Sequence, residues 1–332
     1  MRAVICEQFS SYTDLRVAEV SAPAMKPGCV RIGVHFASVS YAISLMVAGK
    51  YQRKMELPFI PGTEVAGYIL ECDEGVTEFK PGDPVAAIVD AGAYGEEVVV
   101  DPATVYPVPL AFPLAKAVSI PLSFGTAATA LERGGVGPDK TVLVTGAGGA
   151  LGLAAVQVAR LKGATVIAAA SSQPKLEAAL AAGASYAIDY SSGDFINNVK
   201  ALTNGRGADI VFDPVGGELF ARLIRCTAIE GSVLSLGFAS GDIPSVPVNL
   251  LLVKNISLFG VNFSEYVGWG KQDRRHEFAA RTKAMMGGLF RKAENNTLAI
   301  KQPEVYALAD FEAALDCVIG RRSIGKVVIT TR

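Results

Sequence analysis

Thr141–Asp189 reads TVLVTGAGGALGLAAVQVARLKGATVIAAASSQPKLEAALAAGASYAID. The apolar run Thr141–Thr145 predicts a strand, and Gly146-Ala147-Gly148-Gly149-Ala150-Leu151-Gly152 a glycine turn. Leu151–Lys162 predicts a small-residue helix, and Thr165–Ala170 a second strand. Strand, glycine turn, helix and strand in that order make one half of a dinucleotide-binding fold. Glycines remove the Cβ atoms that would keep a pyrophosphate from the backbone, and the helix start offers unpaired N–H groups and a positive dipole end. The backbone of Ala147, Gly148, Gly149, Ala150, Leu151 and Gly152 is therefore assigned to the pyrophosphate.

The end of the second strand separates two nicotinamide cofactors. An acid there would bind a ribose 2′-hydroxyl and repel a 2′-phosphate. This chain has Ala170, Ser171 and Ser172 instead, with Lys175 close by. Two hydroxyls and an ammonium suit a 2′-phosphate, so NADPH is expected over NADH. The alternative for Lys175 is a solvated first-turn lysine.

Composition narrows the classes. With 332 residues, two domains are the natural expectation. A net charge of −1 predicts neither nucleic-acid binding nor attraction to an anionic membrane. The stretch MRAVICEQFS lacks a signal-peptide core, and no run reaches ~18 uninterrupted apolar residues, so a cytoplasmic location is expected. Cys6, Cys29, Cys72, Cys226 and Cys317 are scattered and never form CxxC, so they read as reduced structural thiols. His35 and His276 are the only histidines, too few for a zinc site with recognisable spacing.

Residues 1–118 carry short β-type runs, among them Val30–Val34, Val65–Glu71, Pro84–Val89 and Glu96–Val100, broken by Pro-Gly turns. They predict an antiparallel β domain. Residues 119–262 alternate apolar strands with Ala/Leu-rich helices. Further strands are expected at Ala184–Ile188, Ile210–Asp213, Ser232–Leu236 and Ile256–Val261, in a parallel sheet covered on both faces. Residues 263–332 hold helical patterns at Asp273–Phe290 and Leu308–Cys317 and a closing strand at Lys326–Thr330, and are expected to return to the first domain.

Several motifs carry a family resemblance. PGTEVAGYILECDEGVTEFKPGDPVAA (Pro61–Ala87), GAYGEEVVV (Gly92–Val100), the glycine turn, DIVFDPVGG (Asp209–Gly217) and RRSIGKVVIT (Arg321–Thr330) together resemble the zinc-free quinone oxidoreductase branch of the medium-chain dehydrogenase/reductase superfamily. The resemblance spans nearly the whole chain. It implies an α/β protein: a GroES-like β-rich catalytic domain (1–118 and 263–332) plus a Rossmann doubly wound parallel-sheet domain (119–262). Zinc-dependent relatives carry Cys near Ser40, Gly-His-Glu where this chain has Gly62-Thr63-Glu64, and a four-cysteine lobe. None of these is present, so zinc-assisted alcohol oxidation is not expected. Hydride donation from NADPH to a quinone or an α,β-unsaturated carbonyl is.

The resemblance also assigns residues. Tyr51 matches a tyrosine at the active-site mouth, where a phenol can donate to a developing oxyanion; its alternative is a packed loop aromatic. Ser40 stands where the family commonly has Asn, with a hydroxyl able to bond cofactor or substrate. Thr126 is similar to a threonine near the nicotinamide end, or is a helix N-cap. Tyr190 is similar to a tyrosine beside the adenosine phosphate, or is a surface aromatic. Val215 and Lys326 match further cofactor positions. Gly237, Phe238 and Val261 follow the last two parallel strands, where open α/β sheets bind ligands, and are assigned to the nicotinamide. Glu64 and His35 read as structural, Tyr41 and Tyr266 as weaker site candidates. A homodimer through the apolar edge SVLSLGF/NISLFGV is expected. Two other readings stay open: a 2-enoyl thioester reductase, using Arg53-Lys54 and Lys271–Arg275 for a CoA phosphate, and an NADPH-binding sensor or structural protein with little turnover.

Overall fold

Proline and glycine punctuate the N-terminal third into short strands, and the chain after it alternates strand with helix, as the two textures require. The computed structural model describes residues 1–191 and 193–332. The chain divides into two compact units, Met1–Leu122 with Phe263–Arg332, and Ser123–Asn262.

In chain order the first unit begins with β1 (Arg2–Ile5), β2 (Arg16–Glu19), β3 (Val30–Val39), α1 (Tyr41–Val47), β4 (Glu64–Cys72), β5 (Pro84–Ile88), β6 (Glu97–Val100), β7 (Val105–Pro107) and α2 (Leu114–Ala117). The second unit holds α3 (Gly125–Arg133), β8 (Thr141–Val144), α4 (Ala150–Leu161), β9 (Thr165–Ala170), α5 (Gln173–Ala181), β10 (Tyr186–Asp189), α6 (Phe195–Leu202), β11 (Ala208–Asp213), α7 (Leu219–Cys226), β12 (Thr227–Ser235), α8 (Val248–Lys254) and β13 (Ser257–Gly260). The chain then returns to the first unit with α9 (Arg275–Glu294), β14 (Glu304–Ala307), α10 (Phe311–Ile319) and β15 (Val327–Thr330).

The first unit is built on a seven-stranded sheet ordered β14-β15-β3-β4-β5-β7, with β6 also paired to β3. Its pairs are antiparallel except β14–β15, which is parallel because α10 crosses over between them. Ile32, Val65, Ile69, Tyr94, Leu315 and Ile329 close its core.

The second unit is a six-stranded parallel sheet ordered β10-β9-β8-β11-β12-β13. The order reverses between β8 and β11, so a ligand crevice opens at the carboxyl ends of those strands. β8 and β9 are almost wholly buried, as strands covered on both faces must be. α4 is buried from Gly152 to Ala159, which is why that stretch is apolar on every side apart from Gln157.

Two differences from the sequence pattern have local causes. β12 begins at Thr227, ahead of the apolar run at Ser232, because Glu230 at φ 60° and a register break opposite interrupt the alternation. α8 carries no buried residue, so no helical stripe announces it.

Among the described residues, one continuous helical stretch, Leu114–Arg133, is long and apolar enough to cross a membrane by length and composition; 67% of that window is buried inside the protein, as in a core helix.

Candidate functional site

The glycine turn leaves β8 at Thr145 and enters α4 at Gly149. Gly146 sits at φ 58°, which a side chain would strain. Ala147 N–H donates to Ala169 C=O of β9 at 3.1 Å, and Gly149 N–H to Gly146 C=O at 3.0 Å. The first bond accepted by Gly149 comes from Leu153 N–H at 2.9 Å. The amides of 150–152 therefore precede the helical ladder and lie at the helix start, where backbone N–H groups are left without intrahelical partners.

Each glycine has a distinct steric duty. Gly149 faces open space: a Cβ there would meet nothing closer than Gly146 O at 3.5 Å. Gly152 packs instead, since a Cβ would stand 2.2 Å from Gly146 O. Its side of the helix is pressed onto the turn, so its missing side chain serves that close contact, while its backbone N–H stays at the helix start. Gly148 likewise makes room for a protein neighbour, because a Cβ would lie 2.5 Å from the Cβ of Lys175.

A buried carboxylate ties this turn to the neighbouring one. Asp213, at the end of β11, is fully buried; it accepts from Thr145 Oγ1 at 2.5 Å and from the N–H groups of Val215 and Gly216 at 3.0 Å each. Burial pushes its pKa up while these donors pull it down. Val215 is thereby laid over Gly146, where a Cβ would meet its Cγ2 at 3.3 Å. Ser240 N–H donates to Val215 C=O at 2.9 Å and Ala239 N–H to Pro214 C=O at 3.1 Å, which brings the Gly237-Phe238 segment alongside. The Phe238 ring rests on Gly216 and stays 39% exposed. Val261 is buried, and its N–H donates to Ser235 C=O at 2.9 Å. Asp213 carried no signal in the sequence beyond its place in DIVFDPVGG.

At the end of β9, Ser171 is exposed, and Ser172 caps α5 in extended geometry, its hydroxyl making no capping bond. Lys175 is half-buried on the first turn of α5. Tyr190 joins the same strand end through its N–H to Ala170 C=O at 3.2 Å. Sequence reading missed a neighbouring acid: Asp189 of β10 is in register with Ala170. Its carboxylate is taken by Ser191, through N–H at 2.8 Å and Oγ at 2.6 Å, and those donors lower its pKa.

In the first unit, Tyr51 follows α1 with its N–H on Leu45 C=O at 3.1 Å. Its phenol bonds the Ser264 side chain, and burial pushes its pKa up more than that bond lowers it. Ser40 is the N-cap of α1, half-buried, with no side-chain capping bond. Thr126 is not an N-cap: it lies inside α3, which continues a π-turn at Ile120–Phe124. Such turns are frequent at functional sites. Lys326, assigned to the cofactor by resemblance, has a protein partner. Its Nζ meets Glu64 Oε2 at 2.7 Å, with Glu64 fully buried and Leu122 N–H on its other oxygen at 2.7 Å.

The three arginines of the basic patch considered for a CoA phosphate are engaged by carboxylates, while Lys54 and Lys271 are exposed. Arg275 is buried on Asp90 and Asp273, Arg53 bonds Asp90, and Arg274 bonds Glu277 and meets Glu265. Tyr266 packs edge-on against Phe278 at 4.8 Å, and His35 against Tyr68 at 5.0 Å. Among the described residues no group of three or more His, Cys, Asp or Glu is placed to hold a metal.

Residues 26–110 match the alcohol dehydrogenase GroES-like domain family, and residues 150–281 the zinc-binding dehydrogenase family. The chain is 35% identical to quinone oxidoreductase-like protein 2 of Bos taurus, over 100% of this chain and 93% of that protein. Among solved structures it is similar to the Pseudomonas syringae quinone oxidoreductase (TM-score 0.90, 26% identity, 99% of both chains). It is also similar to the Thermus thermophilus quinone oxidoreductase, solved alone and with NADPH (TM-score 0.84, 31% identity, 99% of this chain and 100% of that one). The chain belongs to the quinone oxidoreductase branch of the medium-chain dehydrogenase/reductase superfamily.

Proposed function

We propose that the protein is an NADPH-dependent oxidoreductase that works without zinc and reduces a quinone or an α,β-unsaturated carbonyl. The observation that carries this reading is the end of β9. There Ser171, Ser172 and Lys175 stand where an NADH-binding protein would place an acid, beside a glycine turn at the reversal of the strand order. The similarity to a quinone oxidoreductase solved with NADPH supports it.

The residues present fit the cofactor. The amides of 150–152, with the open face of Gly149, would take the pyrophosphate, and Ser171, Ser172 and Lys175 the 2′-phosphate. Tyr190 would lie at the adenosine end, with Gly237, Phe238 and Val261 at the nicotinamide end. When bound, NADPH supplies the hydride. The chain's part is to orient and to support charge. Burial keeps the Tyr51 phenol protonated, so it would donate to the acceptor oxygen as negative charge builds there. Ser40, whose hydroxyl caps nothing, offers a second donor. The engagement of Arg53, Arg274 and Arg275 by carboxylates disfavours the thioester reading.

NADPH oxidation against 1,4-benzoquinone, 9,10-phenanthrenequinone, an alkyl enone, a 2-enoyl-CoA and an aldehyde, with NADH in parallel, tests the reading. Turnover of a quinone or enone that prefers NADPH is expected. Tight NADPH binding with no acceptor reduced would overturn it in favour of an NADPH sensor or structural protein.

A further inference from the structure

Arg275 sits in the first turn of α9 with its guanidinium buried, a place few arginines occupy without paired carboxylates. Its Nε donates to Asp273 Oδ1 and Oδ2 at 2.9 and 2.8 Å, and its Nη2 to Asp90 Oδ1 and Oδ2 at 2.8 and 3.0 Å. Asp90 Oδ1 also accepts from Arg53 Nη1 at 2.9 Å. Arg53 is two residues along the chain from Tyr51. On its other side the guanidinium lies against the backbone of Gly268, where φ is +90° and a Cβ would stand 2.5 Å from Nε and Nη2. Next in the chain, Trp269 N–H donates to Ser264 C=O at 2.9 Å, and the Ser264 side chain bonds the Tyr51 phenol.

These contacts close a ring: Tyr51 to Arg53 along the chain, then Asp90, Arg275, Gly268, Trp269, Ser264 and back to Tyr51. Both ends of the Tyr51–Ser264 bond are thus fastened to one guanidinium. A planar fork with fixed donors locks geometry in a way a lysine ammonium does not. A phenol that must meet a developing oxyanion is sensitive to misplacement of about 1 Å.

We propose that Arg275 and Asp90 are positioning residues that set the direction of the Tyr51 phenol through Ser264. This rests on the reading of Tyr51 as donor to the acceptor oxygen.

Arg275→Lys and Asp90→Asn test it, each made in the wild-type chain and beside Tyr51→Phe. Each single variant is expected to lower kcat about tenfold and to leave NADPH affinity within about twofold. Beside Tyr51→Phe, which has no hydroxyl to aim, each should cost almost nothing more. In protein carrying 13Cζ-labelled tyrosine, both variants should also move the Tyr51 resonance, identified by its loss in Tyr51→Phe. An equal loss of kcat in both backgrounds with an unmoved Tyr51 resonance would overturn the proposal and leave a purely structural ion pair. If the wild-type chain reduces no acceptor, the functional reading fails, while the resonance still decides the positioning claim. If Arg275→Lys does not fold, Asp90→Asn is read in the same two ways.

Discussion

The Cβ and Cγ of Lys175 fill the space that a side chain on residue 148 would need, lying 2.5 and 2.6 Å from a Cβ built on Gly148. The glycine turn and the lysine at the head of α5 are therefore one assembly. The turn is bare at Gly148 so that the stem of Lys175 can lie against it at the head of α5. Lys175→Met is expected to weaken NADPH binding about tenfold, the size of one charge-assisted bond to a phosphate on a half-exposed side chain. It should leave NADH binding within about twofold. Gly148→Ala should weaken NADPH binding at least as much, because α5 must shift. Fluorescence titration with both cofactors checks this; an equal loss for NADPH and NADH would refute it.

Glu64 and Lys326 form an ion pair that is 0% and 7% exposed at its side chains, with N–O 2.7 Å. Lys326→Met removes one partner and leaves a carboxylate buried with only Leu122 N–H, at an expected cost of about 3–5 kcal/mol. Adding Glu64→Gln should restore part of the stability, because the amide oxygen can still accept from Leu122 and no charge remains buried. Urea unfolding of the two variants decides it. A double variant less stable than Lys326→Met would contradict the prediction.

Cys226, the buried last residue of α7, has its thiol pushed from 9.0 to about 11 by burial. Between those values the unfolded chain has lost the proton and the folded one keeps it, so the folded state binds more protons. Stability from this group is full below pH 9.0 and falls by about 1.4 kcal/mol per pH unit as pH rises toward about 11. Cys226→Val should flatten the alkaline slope of unfolding free energy by that amount. Identical slopes in the two proteins would show that the thiol is not perturbed.

β13 is the outer strand of the parallel sheet, and the apolar side chains near it in sequence face outward: Leu258 is 40% exposed, Leu252 78% and Val253 75%. An unpaired strand edge flanked by apolar surface invites a second strand. A homodimer through β13 is the expected state, and Leu258→Lys with Val253→Asp should shift it toward monomer. Static light scattering at micromolar concentration checks both; a monomeric mass for the unaltered chain would rule the dimer out.

How much of the site was legible follows from distance along the chain. Gly146 through Gly152 could be read directly, because a turn with positive φ at Gly146 and a helix starting at Ala150 are local consequences of glycine spacing. Ser171, Ser172 and Lys175 were legible because a strand end lies a fixed number of residues past that turn. Their division of labour was not. That Gly152 packs on Gly146 while Gly149 faces open space depends on how α4 seats on β8.

The sequence by itself determined the class: a parallel sheet with a glycine turn after its first strand, and a β-rich unit built from both ends of the chain. Both are written in short-range periodicity and turn residues. Only the tertiary structure decided the polar anchors. Glu64 and Lys326 stand 262 residues apart, Asp90 and Arg275 185 apart, and Thr145 and Asp213 68 apart. No local pattern announces such pairs. Burial creates them: once packing removes a charge from water, it must find a partner among whatever the fold has brought within hydrogen-bond reach.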